Sequence, residues 1–179
     1  GEIKMNIFIL NEDPTKAAQD MCNKHVVKMP TESLQMMSTI ADHLGYDSPY
    51  KPVMLNHPCT IWARKSKQNF VFLKTHCEAL CKEYSIRYYD RIHKVETTLK
   101  EFHNIWEQVI DTLPDIGLTE FAVAISEDSL CRKVENFDEL STVEKYRTYY
   151  VKDKIYFAKW KSEIPRWFSL MKGMKGVRM

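Results

Sequence analysis

The chain has 179 residues and a mass of 21.2 kDa, with 44% hydrophobic and 28% charged residues. That balance belongs to an ordinary globular domain and excludes a collagen, a disordered tail or a membrane span. Five glycines and seven prolines leave few turn signals, and charged residues interleave with apolar ones at helical spacing, which argues against a β-barrel or doubly wound sheet and for an all-α, compact single-domain helical bundle.

In chain order, Ile7-Phe8-Ile9-Leu10 is a short apolar run that reads as a buried extended segment. Asp13-Pro14 then reads as an N-cap with proline at the first helical position. A first long helix is expected from Pro14 to about Leu44, kinked at Pro30 by the missing N–H and the ring's clash with the preceding turn, and stopped at Gly45. Residues 47–52 form a loop. Apolar positions at three- and four-residue spacing (Phe70, Leu73, Cys77, Leu80, Tyr84) predict a second helix from about Thr60 to Tyr89, and the set Ile92, Val95, Leu99, Phe102, Trp106, Val109 a third. Residues 112–140 carry a mixed pattern that assigns no element. Ser141-Thr142-Val143-Glu144 has the form of a capping box opening a last helix to about Lys161. The domain is expected to close near residue 170, with Met171–Met179 a flexible basic tail.

Charge is uneven along the chain. Residues 145–179 hold ten Lys/Arg against Asp153 and Glu163, whereas residues 1–144 hold sixteen against twenty-two acids. Tyrosine, tryptophan and phenylalanine interleave with these cations, a combination suited to a phosphate backbone and bases. A final amphipathic helix with core aromatics and solvated lysines explains it equally well. The five cysteines lack paired C-x-x-C spacing, and Cys77 and Cys81 read as small buried hydrophobes, so a reducing cytoplasmic setting without disulfides is expected. No leader or membrane span is expected. The six histidines show no zinc pattern, and phosphate-loop, dinucleotide and nucleophile-elbow motifs are missing, so neither a metal nor another cofactor is expected.

Two segments could carry chemistry. On a helix, His25, Lys28, Glu32 and Gln35 share a sector of roughly 80°, bordered by Cys22, Met29, Met36 and Ile40. A half-buried carboxyl beside a lysine and a histidine is how acid–base groups are commonly tuned. The plainer reading is an exposed Lys28–Glu32 pair with His25 satisfied in the core. The second segment, Asn56-His57-Pro58-Cys59-Thr60-Ile61-Trp62-Ala63-Arg64-Lys65, places cations and free N–H groups near a helix start, a setting for phosphate; a histidine that merely caps the helix explains His57 as well.

Together these segments resemble the pyrimidine-dimer DNA glycosylase and AP lyase family, the phage endonuclease V type. The similar features are the apolar start at Asn6–Leu10, Asn23-x-His25 with Glu32 seven residues after the histidine (the family has Asp-x-His), Asn56-His57-Pro58 with Thr60 and Trp62, residues 80–84, and Pro165-Arg166-Trp167-Phe168. The resemblance implies a helical DNA-repair enzyme in which the N-terminal amine attacks the sugar C1′ and a glutamate, here Glu32, supports Schiff-base formation and strand cleavage. His25 would be the active-site histidine. Four residues precede Met5, so the amine would be that of Gly1, or Lys28 would substitute for it. The family's arginines near the glutamate are replaced by Thr31 and Gln35, so phosphate grip falls to the basic block, or the substrate is not a pyrimidine dimer.

The expected site is therefore catalytic Glu32, His25 and Lys28, with Asn23, Gln35, His57, Trp62, Arg64, Lys65, Lys159, Lys161 and Trp167 binding DNA. A monomer in the cytoplasm, or in the host's if phage-encoded, is expected to remove a damaged or modified base. The alternatives are a non-catalytic module on the same fold that binds nucleic acid or a host protein, and an enzyme acting on free modified nucleotides.

Overall fold

The computed structural model describes residues 5–173. Among these, eight α-helices and two short 3₁₀ turns pack as one all-α domain without a strand. Helix α1 (Pro14–Asp20) starts as the sequence predicts, with the Asp13 carboxylate accepting from the amides of Thr15 and Lys16. Helix α2 (Asn23–His43) ends at Leu44, and Gly45 follows at φ +88°, where a Cβ would be strained. Helices α3 (Pro58–Lys65) and α4 (Lys67–Arg87) come next, then α5 (Lys94–Glu101) and α6 (His103–Thr112). An extended strap over residues 113–129 leads through the turns Leu130–Lys133 and Phe137–Glu139 into α7 (Thr142–Asp153) and α8 (Arg166–Met171).

Four expected boundaries move, the first two because groups far along the chain satisfy the backbone at the break. The first interruption lies at Met21–Cys22, and α2 runs on through Pro30 as a helix. At this break the Arg87 guanidinium donates to the carbonyls of Gln19 and Met21, Trp160 Nε1 to that of Asp20, and the Asn23 amide to the Lys159 carbonyl. The second helix splits at Ser66, whose side chain caps α4, while the Lys67 amide donates to the Pro114 carbonyl. The third splits at Phe102, where Trp106 Nε1 reaches back to the Leu99 carbonyl. The last helix stops at Asp153 rather than near Lys161, because residues 155–161 turn back across the start of α2. Its start follows the sequence: Ser141 Oγ accepts from the Glu144 amide.

The core wraps the N-terminal segment. Met5 and Ile7–Leu10 are buried among α2, α4 and α7, with Phe70, Trp106, Tyr146 and Tyr150 its largest side chains. All five cysteines are buried thiols. Asn69, fully buried, ties the strap down: its Nδ2 donates to the Trp62 carbonyl and Thr119 Oγ1, and its Oδ1 accepts from the Thr119 amide. Met171 closes α8 and is buried, and the rest of the expected tail, 174–179, lies outside the described residues. No helix among the described residues is long and apolar enough to cross a membrane.

Arg87 holds the α1–α2 junction with a fully buried guanidinium paired to Glu83 at 3.2 Å. Replacing it by alanine strands a buried carboxylate and two carbonyls. Arg87→Ala is expected to destabilise the fold by about 3–5 kcal/mol, measured as the loss in urea unfolding free energy; a loss below about 1 kcal/mol would mean that the pair behaves like a surface contact.

Candidate active site

Glu32 sits on the inner face of α2 where the N-terminal segment crosses it. Its carboxyl, in a residue 7% exposed, has Oε1 at 3.1 Å from the Asn6 amide nitrogen and Oε2 at 3.5 Å from Lys28 Nζ. Asn6 is fixed in turn: Nδ2 donates to the Ala124 carbonyl of the strap, and Oδ1 accepts from the amides of Ile7 and Phe8. The bond to Phe8 accompanies a left-handed backbone there, φ +53°, a strained conformation for an aromatic residue. It turns the Phe8 ring onto His25, stacked at 4.3 Å between centroids.

These groups line one cleft of about 600 Å³, within the range of pockets that take a small ligand, about 300–1,000 Å³. Glu32 and His25 are on its wall with Lys24, Lys28 and His57, and the opposite side is built by residues 123–127, Arg132, Tyr149, Lys154, Tyr156 and Phe157. Lys24 Nζ lies 4.7 Å from the centre of the Phe157 ring, and Lys154 Nζ 4.8 Å from that of Tyr149, so cations and aromatic faces alternate around a buried carboxyl. Among the described residues no three His, Cys, Asp or Glu converge as a metal-binding group.

Burial pushes the Glu32 carboxyl above its ordinary range, against the smaller opposing pull of Lys28 and the Asn6 amide. His25, 5% exposed, shares a 2.5 Å hydrogen bond between Nδ1 and the Tyr150 hydroxyl. Burial first, then the charges of Lys154, Lys28 and Lys24, lower its pKa to about 3, so the ring is neutral at physiological pH. His57 lines the cleft and also caps α3, its Nδ1 accepting from the Cys59 amide. The capping reading of that residue therefore holds, and its side chain also borders the cleft.

The other expected binding residues lie elsewhere. Asn23 is a structural acceptor, its Oδ1 receiving the Lys161 amide and Arg87. Gln35 is half-buried on α2 outside the cleft. Trp62 is buried against Phe72 and Phe121, because its sector of α3 faces the core. Arg64 and Lys65 occupy the last turn of α3, not its start, and line a separate hollow; Arg64 also holds the Leu55 carbonyl. Lys159 and Lys161 are exposed on the segment that crosses α2, outside the cleft. Trp167 packs on α1, its Nε1 donating to Asp20 Oδ2. Asn6, Phe8, Lys24, Met54, Lys154 and the strap are cleft residues that sequence reasoning missed. Asn6 alone had a local signal, as a polar residue opening an apolar run.

A family comparison matches residues 5–97 to the pyrimidine dimer DNA glycosylase family. The chain belongs to that family. The match holds the half of the cleft built by Asn6, His25, Lys28, Glu32 and His57; the strap, Arg132 and the α7 residues of the glycosylase-family cleft fall beyond it. No curated protein and no solved structure matches the chain.

The two shifted groups have opposite signs in stability. Glu32 holds its proton more tightly folded than unfolded, so its contribution is present at low pH and lost as pH rises through its raised pKa. His25 resists protonation when folded, so stability falls as pH drops from 6.5 toward about 3, by up to about 1.4 kcal/mol per pH unit. His76, lowered to about 4 by full burial, adds to the same limb. His25→Phe is expected to flatten the dependence of melting temperature on pH across this window without abolishing it. An unchanged slope would show that His25 does not remain neutral in the fold.

Proposed function

We propose that the protein excises a damaged base from DNA through a covalent amine intermediate, with Glu32 as the proton-transferring carboxylate and Lys28 as the attacking amine. The observation that carries this reading is the position of Glu32: buried, raised in proton affinity, with a lysine ammonium 3.5 Å from Oε2 in an open cleft. Lys28 must shed a proton before attack, and the carboxylate is placed to take it. The amine then bonds to C1′ of the deoxyribose as the glycosidic bond breaks, its electron pair leaving with the base, which takes up a proton. Opening of the sugar ring gives a protonated Schiff base; loss of a C2′ proton from it expels the 3′ phosphate. A base drawn from the stack would meet Phe8, Tyr149 and Phe157, and Lys24 and Lys154 would face phosphates. Neutral His25 serves as a hydrogen-bonding wall rather than as an acid or base. The description of the matching family supports a pyrimidine dimer as the lesion.

A second amine is favoured by one distance. The Asn6 nitrogen, 3.1 Å from Oε1, is an unreactive amide while Met5 precedes it, but becomes a primary amine in a chain that starts at Asn6. Borohydride trapping on thymine-dimer duplex, followed by peptide mapping, separates the two. The full chain is expected to trap on Lys28, with the adduct lost in Lys28→Gln; a chain starting at Asn6 is expected to trap on its α-amine. Glu32→Gln should lower either rate by about 10²–10⁴-fold. Absence of an adduct from both forms overturns the glycosylase reading, and an unaltered adduct in Lys28→Gln of the full chain removes Lys28.

The excision rate should also fall with acidification through a pKa above the ordinary glutamate value, because protonated Glu32 can no longer accept the amine's proton. Glu32→Gln should show a flat profile there. A limb that persists in this variant belongs to another group.

A further inference from the structure

Among the described residues five non-glycine positions have positive φ: Phe8, Met54, Tyr89, Asp90 and Asn136. Phe8 and Met54 line the cleft, and asparagine and aspartate tolerate this conformation. Tyr89, at φ +56°, has neither explanation. It follows Tyr88, the last cap of α4, in a turn where the Asp90 amide donates to the Ser85 carbonyl at 2.9 Å. That bond marks a Schellman ending, in which the left-handed residue is ordinarily glycine. Here it is a tyrosine that is 85% exposed, flanked by Ile86 and Ile92, each 61% exposed. The turn is firm: Ser85 Oγ donates to the Arg91 carbonyl at 2.7 Å, and the Arg91 amide to the Tyr88 carbonyl. Strain and an uncovered aromatic ring both oppose stability, and neither is offset by packing among the described residues.

The turn is tied to the helix that forms one wall of the cleft. His93 Nε2 bonds to the Val27 carbonyl, on the helix that carries Lys24, Lys28 and Glu32. The Lys161 amide bonds to Asn23 Oδ1, and Lys161 Nζ lies 5.6 Å from the Tyr88 ring centre. Exposed Arg91 and Lys94 follow the apolar tip closely in the chain and Lys161 reaches the neighbouring Tyr88 ring, with Asp90 the exposed acid of the turn. An aromatic and aliphatic tip with cations beside it fits a nucleobase face with its phosphates.

We infer that Tyr89 is a DNA contact, stacking on a base of the duplex beside the nucleotide held in the cleft, and that the strained turn is kept to aim it. The inference rests on the DNA-acting reading, and its test is separate from the trapping experiment. Glycine relieves the backbone strain while removing the ring, so stability and binding should move in opposite directions. Tyr89→Gly is expected to raise the melting temperature by about 2–4 °C. It should weaken binding to a labelled duplex carrying a central thymine dimer by about 5- to 100-fold, as loss of one base–aromatic stack does. Tyr89→Phe should bind as the parent does. If the parent binds and excises but Tyr89→Gly binds equally well, the tyrosine contact is overturned and the enzyme reading stands. If the parent binds no duplex even at low salt, both fall.

Discussion

A carboxyl group taken out of water needs partners, and in this molecule nearly everything around the cleft follows from how Glu32 acquires them. One oxygen takes a backbone N–H from Asn6, which requires the segment from Met5 to Leu10 to run through the interior. That path buries Met5 and the apolar run to Leu10, and the Asn6 side chain passes the constraint on to the strap through Ala124. Among the described residues the other oxygen has no hydrogen-bond partner and an ammonium at ion-pair distance, and burial raises the carboxyl's proton affinity. A fold selected for stability alone would have filled this position with an apolar side chain.

The cations of the cleft act on two groups in opposite senses. They draw the Glu32 proton affinity down from where burial would leave it, and they drive that of His25 further below its usual value. The outcome is a neutral imidazole and a carboxyl of raised proton affinity on the wall of one cleft, two states set by their surroundings. Tyr150 reinforces the split, since its hydroxyl holds the imidazole in place and belongs to the buried face of α7.

Membership of the pyrimidine dimer DNA glycosylase family accounts for one side of the cleft and not for the other. The matched half supplies Asn6, His25, Lys28 and Glu32, whereas the wall facing them comes from the strap and the α7 region. Under the proposed function the reacting groups lie in the matched half, and the wall beyond it is where a different base or lesion would be accommodated.

What lay open in the sequence was local. Asp13, Gly45 and Ser141 mark helix ends because capping is satisfied within three or four residues, and the His25, Lys28 and Glu32 row emerges because helical periodicity alone fixes a shared face. The same periodicity placed Gln35 in that row, and the resemblance named Trp62, but neither says which sector of a helix meets the core and which the cleft. Helix breaks at Met21–Cys22, Ser66 and Phe102 were hidden, the first two because the groups that satisfy their backbone atoms come from far along the chain. The roles of Asn6, the strap and Lys154 were equally hidden. Asn6 meets Glu32 across 26 residues of chain and Ala124 across 118, and Lys154 acts on His25 from the far end of the chain, so only the packed tertiary structure brings such groups together.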